Sequence, residues 1–307
     1  MNAKLPLVFL IFGCLLLSVQ AWSEDIRAEQ FFKNVTDRVV IQTSPSQTLV
    51  FDESFGRTLV LNGHPLVIYA NNVRLIGNVT IRAFADTDVP TDSPGVGSGG
   101  QRPADAPGCG HNGCQGTQGG PGGDGPTGTA GSNAGDVVLG IKSVSGTGTL
   151  AVVSVGQTGG KGGFGGRGGD GSRGGPGEGR GCGNIFAQGA HGPGDGGTGG
   201  TGGTGGVGGK GGTGGSGGTV TYSDSLLGSI KSGKVVLDVS QSSGGLGGPP
   251  GPGGGPGSGG DYGSGAACGG GGTNGQGGAA GATGPTGPAG EKGVAGKTIC
   301  FGAACTN

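Results

Sequence analysis

Glycine falls at every third position through five tracts of this chain, from 110 to 131, 159 to 177, 196 to 217, 245 to 263 and 275 to 296. A step of three matches neither the 3.6 of an α-helix nor the 2 of a strand. It matches polyproline II, which has three residues per turn and no internal hydrogen bonds. Such runs must find partners for their backbone groups on neighbouring runs or in water. Wherever two runs touch, only glycine leaves room for that approach.

The interruptions carry as much information as the tracts. Residues 38 to 84 hold short apolar runs, Val39-Val40-Ile41, Leu49-Val50-Phe51, Leu59-Val60-Leu61 and Leu66-Val67-Ile68-Tyr69, with Val73, Leu75, Val79 and Ile81 in period two. Turn residues at Ser44-Pro45, Asn62-Gly63, Asn71-Asn72 and Gly77-Asn78 part them, the pattern of successive β-strands. Two later segments, 136 to 155 and 219 to 240, repeat the alternation through Val137, Leu139, Ile141, Val152 and then Val220, Tyr222, Val235, Leu237. Residues 24 to 37 have a helix-compatible composition and read as a short cap. Each excursion between β-segments, at 84 to 135, 156 to 218 and 244 to 297, must leave and return, so paired tracts read as legs of hairpins.

The expected fold is therefore all-β plus polyproline II: a small β-solenoid-like base bearing glycine-rich polyproline II hairpins packed into a bundle or sandwich. A tract of some 23 residues would extend roughly 70 Å in this conformation. In the stretch 196 to 219 the third residue of each triplet is Thr198, Thr201, Thr204, Val207, Lys210, Thr213, Ser216 and Thr219, the composition of a solvated outer edge. With 87 glycines, 17 prolines and only 5% aromatic residues in 307, the glycine-rich part has no side chains from which to build a conventional core.

The domain plan follows. Residues 1 to 21 read as a signal peptide, with Lys4 before an apolar run and small residues at Val19-Gln20-Ala21. Residues 22 to 84 form a cap and β-rich region, and 85 to 307 a glycine-rich body carrying the β-segments at 136 to 155 and 219 to 240. The expected location is secreted or cell-surface, with the periplasm as the bacterial equivalent. Outside the leader no stretch is long and apolar enough to span a bilayer. The formal net charge of -1 offers nucleic acid no electrostatic footprint. In an oxidising compartment Cys109, Cys114, Cys182, Cys268, Cys300 and Cys305 read as disulfide partners, with their pairing open.

Gly-Gly-Lys-Gly-Gly-Phe-Gly-Gly-Arg-Gly-Gly-Asp at 159 to 170 and Gly-Gly-Thr-Gly-Gly-Thr-Gly-Gly-Thr-Gly-Gly-Val at 196 to 207 resemble glycine-rich polyproline II bundle proteins. These include springtail antifreeze proteins, glycine-rich domains of phage tail-fibre adhesins and exported bacterial collagen-like proteins. The resemblance spans roughly 108 to 297. It implies architecture far more than activity.

Several motifs compete with bland readings. Thr198, Thr201, Thr204, Thr213 and Thr219 form a candidate binding edge, on which successive outward positions would lie about 9.3 Å apart and which Lys210 interrupts. Gly284 to Lys292 is collagen-like. Asp124 and Asp170 each end half of a calcium-type nonapeptide, without the period of nine that would follow. Cys109-Gly-His111-Asn-Gly-Cys114 suits a disulfide better than zinc. Asn34 and Asn78 head glycosylation sequons. His64, His111 and His191 are scattered, and no acidic pair is placed for glycoside hydrolysis.

The chain thus reads as an exported, non-enzymatic structural or adhesive protein with no cofactor and no metal, and with an unknown surface or matrix ligand. The alternatives are an ice- or ligand-binding protein that uses the outer edge, or a homotrimeric collagen-like protein.

Overall fold

The computed structural model describes residues 25–90, 94–179, 192–264 and 272–305. The expected signal peptide, Cys182, Cys268 and His191 lie outside the described residues.

Thirteen strands occur among them. The first six are β1 (Asp25–Arg27), β2 (Val39–Gln42), β3 (Thr48–Asp52), β4 (Thr58–Val60), β5 (Leu66–Ile76) and β6 (Val79–Arg82). Then follow β7 (Gly108–Cys109), β8 (Asn112–Gly113), β9 (Val137–Gly146), β10 (Leu150–Val153), β11 (Thr219–Ser223), β12 (Val235–Asp238) and β13 (Lys297–Phe301). One sheet runs β1-β3-β5-β9-β11-β13 with β2 also on β5, and a second runs β12-β10-β6-β4. Every pairing in these two sheets is parallel. Only the small β7–β8 pair is antiparallel.

Register is fixed by the period-two pattern, because a slip of one residue would turn the buried set outward. Leu66, Ile68 and Ala70 lie beside Val137, Leu139 and Ile141, and all six are buried. Val220 continues the row from Val137. On the other sheet Leu150 sits between Val79 and Val235. Phe51, Leu49, Leu61, Leu75, Ile81 and Leu226 fill the space between the sheets. Burying one such side chain contributes about 1.5–3 kcal/mol.

These sheets correct the fold class expected from sequence. The core is mostly parallel β-sheet, with 25% strand and 7% helix, and not a polyproline II bundle on a small solenoid-like base. Parallel ladders of this kind are typical of α/β-like cores, although the helical pieces here are short. The physical reason lies in where apolar side chains are available. All the large buried ones belong to the β-segments, so hydrophobic burial organises the sheets and the glycine tracts attach to them.

The stretch expected as a helical cap also differs. It is β1 followed by a five-residue 3-10 turn, Ala28–Phe32. Arg27 at its N-cap makes no side-chain capping bond, and Asn34 turns the chain with a φ of 55°. Phe31 and Phe32 still pack against the core. At the other end a 3-10 turn, Asp224–Leu226, leads into the short helix α1 (Leu227–Lys231).

Candidate functional site: two outer faces of the glycine body

Six extended runs leave and re-enter the sheets: run 1 (94–106), run 2 (112–134), run 3 (156–178), run 4 (194–217), run 5 (242–263) and run 6 (272–296). Their amides are bonded in three-residue steps. Let X be the residue of each triplet whose side chain points outward, with Y and Z the next two. In run 4 the Y amides Gly199, Gly202 and Gly205 donate to Gln276, Ala279 and Ala282 of run 6. The Z amides Gly200, Gly203 and Gly206 donate to Ser172, Gly169 and Gly166 of run 3. The same rule holds for run 2, whose Gly116, Gly119 and Gly122 donate to Thr198, Thr201 and Thr204.

Following the bonds sorts the runs into two layers. Runs 1, 3 and 5 lie side by side in one layer and runs 2, 4 and 6 in the other. Bonds within a layer join parallel runs, and bonds between layers join antiparallel runs. Glycine is demanded by this closeness. A Cβ on Gly199 would stand 2.0 Å from the Gly257 carbonyl oxygen, and one on Gly200 2.0 Å from that of Thr117.

In the enclosed run 4 each triplet leaves one amide, that of X, pointing outward without a backbone partner. Asx side chains meet several of these. Asp124 Oδ1 accepts from Val207 at 3.2 Å, Asn133 from Ser216 at 2.8 Å and Asp136 from Thr219 at 2.7 Å. Asp195 Oδ1 accepts from both the Thr273 N–H at 2.6 Å and its hydroxyl at 3.0 Å. Those two Thr273 bonds hold the Asp195 carboxyl below the usual carboxylate range, with a smaller pull from His111. Asp170, the other nonapeptide aspartate, accepts from Gly255 N–H at 2.6 Å and from Arg167 at 2.8 Å. Both nonapeptide aspartates thus serve as caps. Among the described residues no group of three metal-ligating side chains forms.

The candidate Thr edge is one row of a broad face. Thr198, Thr201 and Thr204 are exposed. The bonding register places Gln115, Gln118 and Pro121 of run 2 on one side of them, and Gln276, Ala279 and Ala282 of run 6 on the other. This block of three rows carries no charge. Toward the sheets the face acquires Asp124, then Lys210 bonded to Glu291 at 2.8 Å. That hydrogen bond and the lysine charge lower the Glu291 pKa. Thr213 lies beside Ala130 and Glu291, and Thr219 is an outward residue of β11 beside Lys297. The five threonines therefore share one face, with Val207 and Lys210 dividing them.

The outer face of the other layer is different in kind. Arg102–Asp105, Arg167–Asp170 and Arg173–Asp261 pair across or along it at 2.6, 2.8 and 2.5 Å. On the sheet side of these ions stand Val96, Phe164 and Leu246, which are 68%, 52% and 72% exposed. Val96 and Phe164 lie side by side.

Two disulfides are present among the described residues. Cys109–Cys114 closes the tip between runs 1 and 2, and Cys300–Cys305 closes the chain after β13. Away from the disulfides, at the sheets, a depression of about 410 Å³ is lined by Glu29, Phe32, Asn34, Leu59 and Asn62. No described helix is long and apolar enough to cross a membrane.

Sequence reasoning found the Thr row and missed its glutamine and alanine neighbours, because a period of three does not state which tracts lie together. One signal was available. Asn112, Asp124, Asn133 and Asp136 each precede by 83 residues the residue whose amide they cap.

No family model matches the chain, and no curated protein matches it. Among solved structures, it is similar to the nine polyproline type II helical bundle springtail antifreeze protein from Granisotoma rainieri at 23% identity. The alignment covers 62% of this chain and 95% of that one, with a TM-score of 0.08. At that score the likeness carries no argument.

Proposed function

We propose that this is an exported, non-enzymatic structural or adhesive protein that works at a cell surface or in an extracellular matrix through the broad face of runs 2, 4 and 6. The observation that supports this is the uncharged block of Gln115, Gln118, Pro121, Thr198, Thr201, Thr204, Gln276, Ala279 and Ala282. A firmly bonded backbone beneath it loses little entropy when a ligand binds, so many weak contacts sum to retention. The test is adsorption of purified protein to hydrated polysaccharide beads and to films of matrix protein. The triple variant T198K/T201K/T204K should lose about tenfold in retention; equal retention by variant and parent would overturn the assignment of this face.

A second reading, ice binding by the same face, is favoured by the threonine methyl and hydroxyl groups repeated at every third residue from Thr198 to Thr204 between uncharged rows. Thermal hysteresis of the purified protein separates the two. A freezing gap abolished by T201K would establish ice as the ligand, and its absence in the parent would remove that reading.

A further inference from the structure

Each layer ends in two lateral edges, and those of the second layer are complementary. On run 6 the Y amides of Gly277, Ala280, Thr283, Thr286, Ala289, Lys292 and Ala295 make no hydrogen bond among the described residues. On run 2 the X carbonyls of Gln115, Gln118, Pro121, Asp124, Thr127 and Ala130 accept none. Run 2 of a second copy, set beside run 6, would repeat the step that already joins run 2 to run 4 and run 4 to run 6. A donor edge and an acceptor edge on one molecule are the ingredients of an open, head-to-tail filament.

The side chains at these edges stand in the way. A Y-position Cβ points toward the following run of the other layer, and a Z-position Cβ toward the preceding run of its own, as Gly199 and Gly200 show. Run 4, enclosed on both sides, has glycine at both positions. Run 6 keeps glycine at Z, where Gly278 faces Gly200 at 2.0 Å, but carries Ala280, Thr283, Thr286, Ala289, Lys292 and Ala295 at Y. Gly277, at the same Y position, meets nothing nearer than 3.6 Å. Run 2 mirrors this pattern. Its Y residues from 113 to 131 are glycine, and its Z residues are Cys114, Thr117, Pro126, Thr129 and Ser132. Glycine returns at Z only in Gly120 and Gly123, which bond to Gln101 and Ser98 of run 1.

We infer that these Y side chains of run 6 and Z side chains of run 2 are stops that close the layer against a second copy of this chain. They block a ladder whose backbone groups are otherwise in register, as charged or bulky residues protect sheet edges. The collagen-like Gly284–Lys292 stretch is the donor-edge stop, and its single glycine per triplet reflects a run with neighbours on one side only.

Amide hydrogen exchange on the unmodified protein tests this directly. The amides of Ala280, Thr283, Thr286 and Ala289 should exchange about 100-fold or more faster than those of Gly199, Gly202 and Gly205, at every protein concentration. Protection of the run 6 amides that grows with concentration would overturn the inference. Sedimentation supplies the converse. With both edges opened by T117G/P126G/T129G/S132G and A280G/T283G/T286G/A289G, the apparent mass should rise to about twice the parent value or beyond. Each half-opened variant should stay at the parent mass. A fully opened variant that keeps cooperative unfolding and the parent mass would also sink the idea.

Discussion

Run 4 and run 6 have the same bonding step and nearly the same length, yet one is written Gly-Gly-X and the other Gly-X-Y. Gly199 and Gly277 stand next to each other across the layer, both at position Y. A Cβ on the first would strike the Gly257 carbonyl at 2.0 Å, whereas on the second it would meet only that same oxygen at 3.6 Å. Between these two runs glycine content therefore reports crowding: two per triplet in the enclosed run 4, one in run 6, whose Y side is open.

The largest effect that separates the two runs is Gly199→Ala against Gly277→Ala. The first forces a methyl into rigid backbone and should destabilise the protein by about 3 kcal/mol, measured by denaturant unfolding. A cost below about 1 kcal/mol would mean that the runs slide apart freely. Next is the end of the edge run. C300S/C305S should cost about 2 kcal/mol by releasing a short loop from the unfolded chain's constraints and should speed exchange in β13 before run 4.

Acid gives a smaller contrast. Asp195 and Glu291, which tie run 6 to run 4, both have folded pKa values lowered by their Thr273 and Lys210 partners. A lowered folded pKa means that the unfolded state takes up the proton first. Their stabilisation is thus complete above the ordinary carboxylate range and is lost as pH falls through the folded values. Thermal melts from about pH 6 to about pH 3 should show a weaker pH dependence in D195N/E291Q than in the parent. The smallest effect is Gly277→Ala itself, a gain of about 0.5 kcal/mol from a less flexible unfolded chain. Measurable destabilisation there would contradict the open edge.

Much of this was legible in the sequence, and unevenly so. The alternation through Val137, Leu139 and Ile141 announces strands, because side chains on a pleat alternate. It does not announce that they pair in parallel with Leu66 to Ala70, since partners some 70 residues apart are chosen by tertiary packing. That long-range choice is what displaced the expected fold class. The run Val39-Val40-Ile41 reads as a strand and is one, but the stretch 24 to 37 before it lacks the capping that a helix needs. Run 1 illustrates the opposite limit. Its glycines at 97 and 100 are too few to establish a period, and at 103 proline removes the amide that would continue the ladder to run 3. The Thr row was visible because it is local. The face that contains it depends on lateral register, which only the repeated 83-residue offset of the Asx caps encodes.

Among the described residues the runs bury no large apolar side chain, and this has a thermal consequence. Heat capacity rises on unfolding mainly because apolar surface is exposed to water, by about 12–15 cal/mol/K per residue in ordinary domains. The β-sheets, with Phe51, Leu139 and their neighbours buried, should follow that value. The glycine layers bury backbone against backbone, and polar exposure lowers the heat capacity instead. Their share of the stability curve is consequently flat, so cooling, which weakens hydrophobic cores, leaves the layers comparatively untouched.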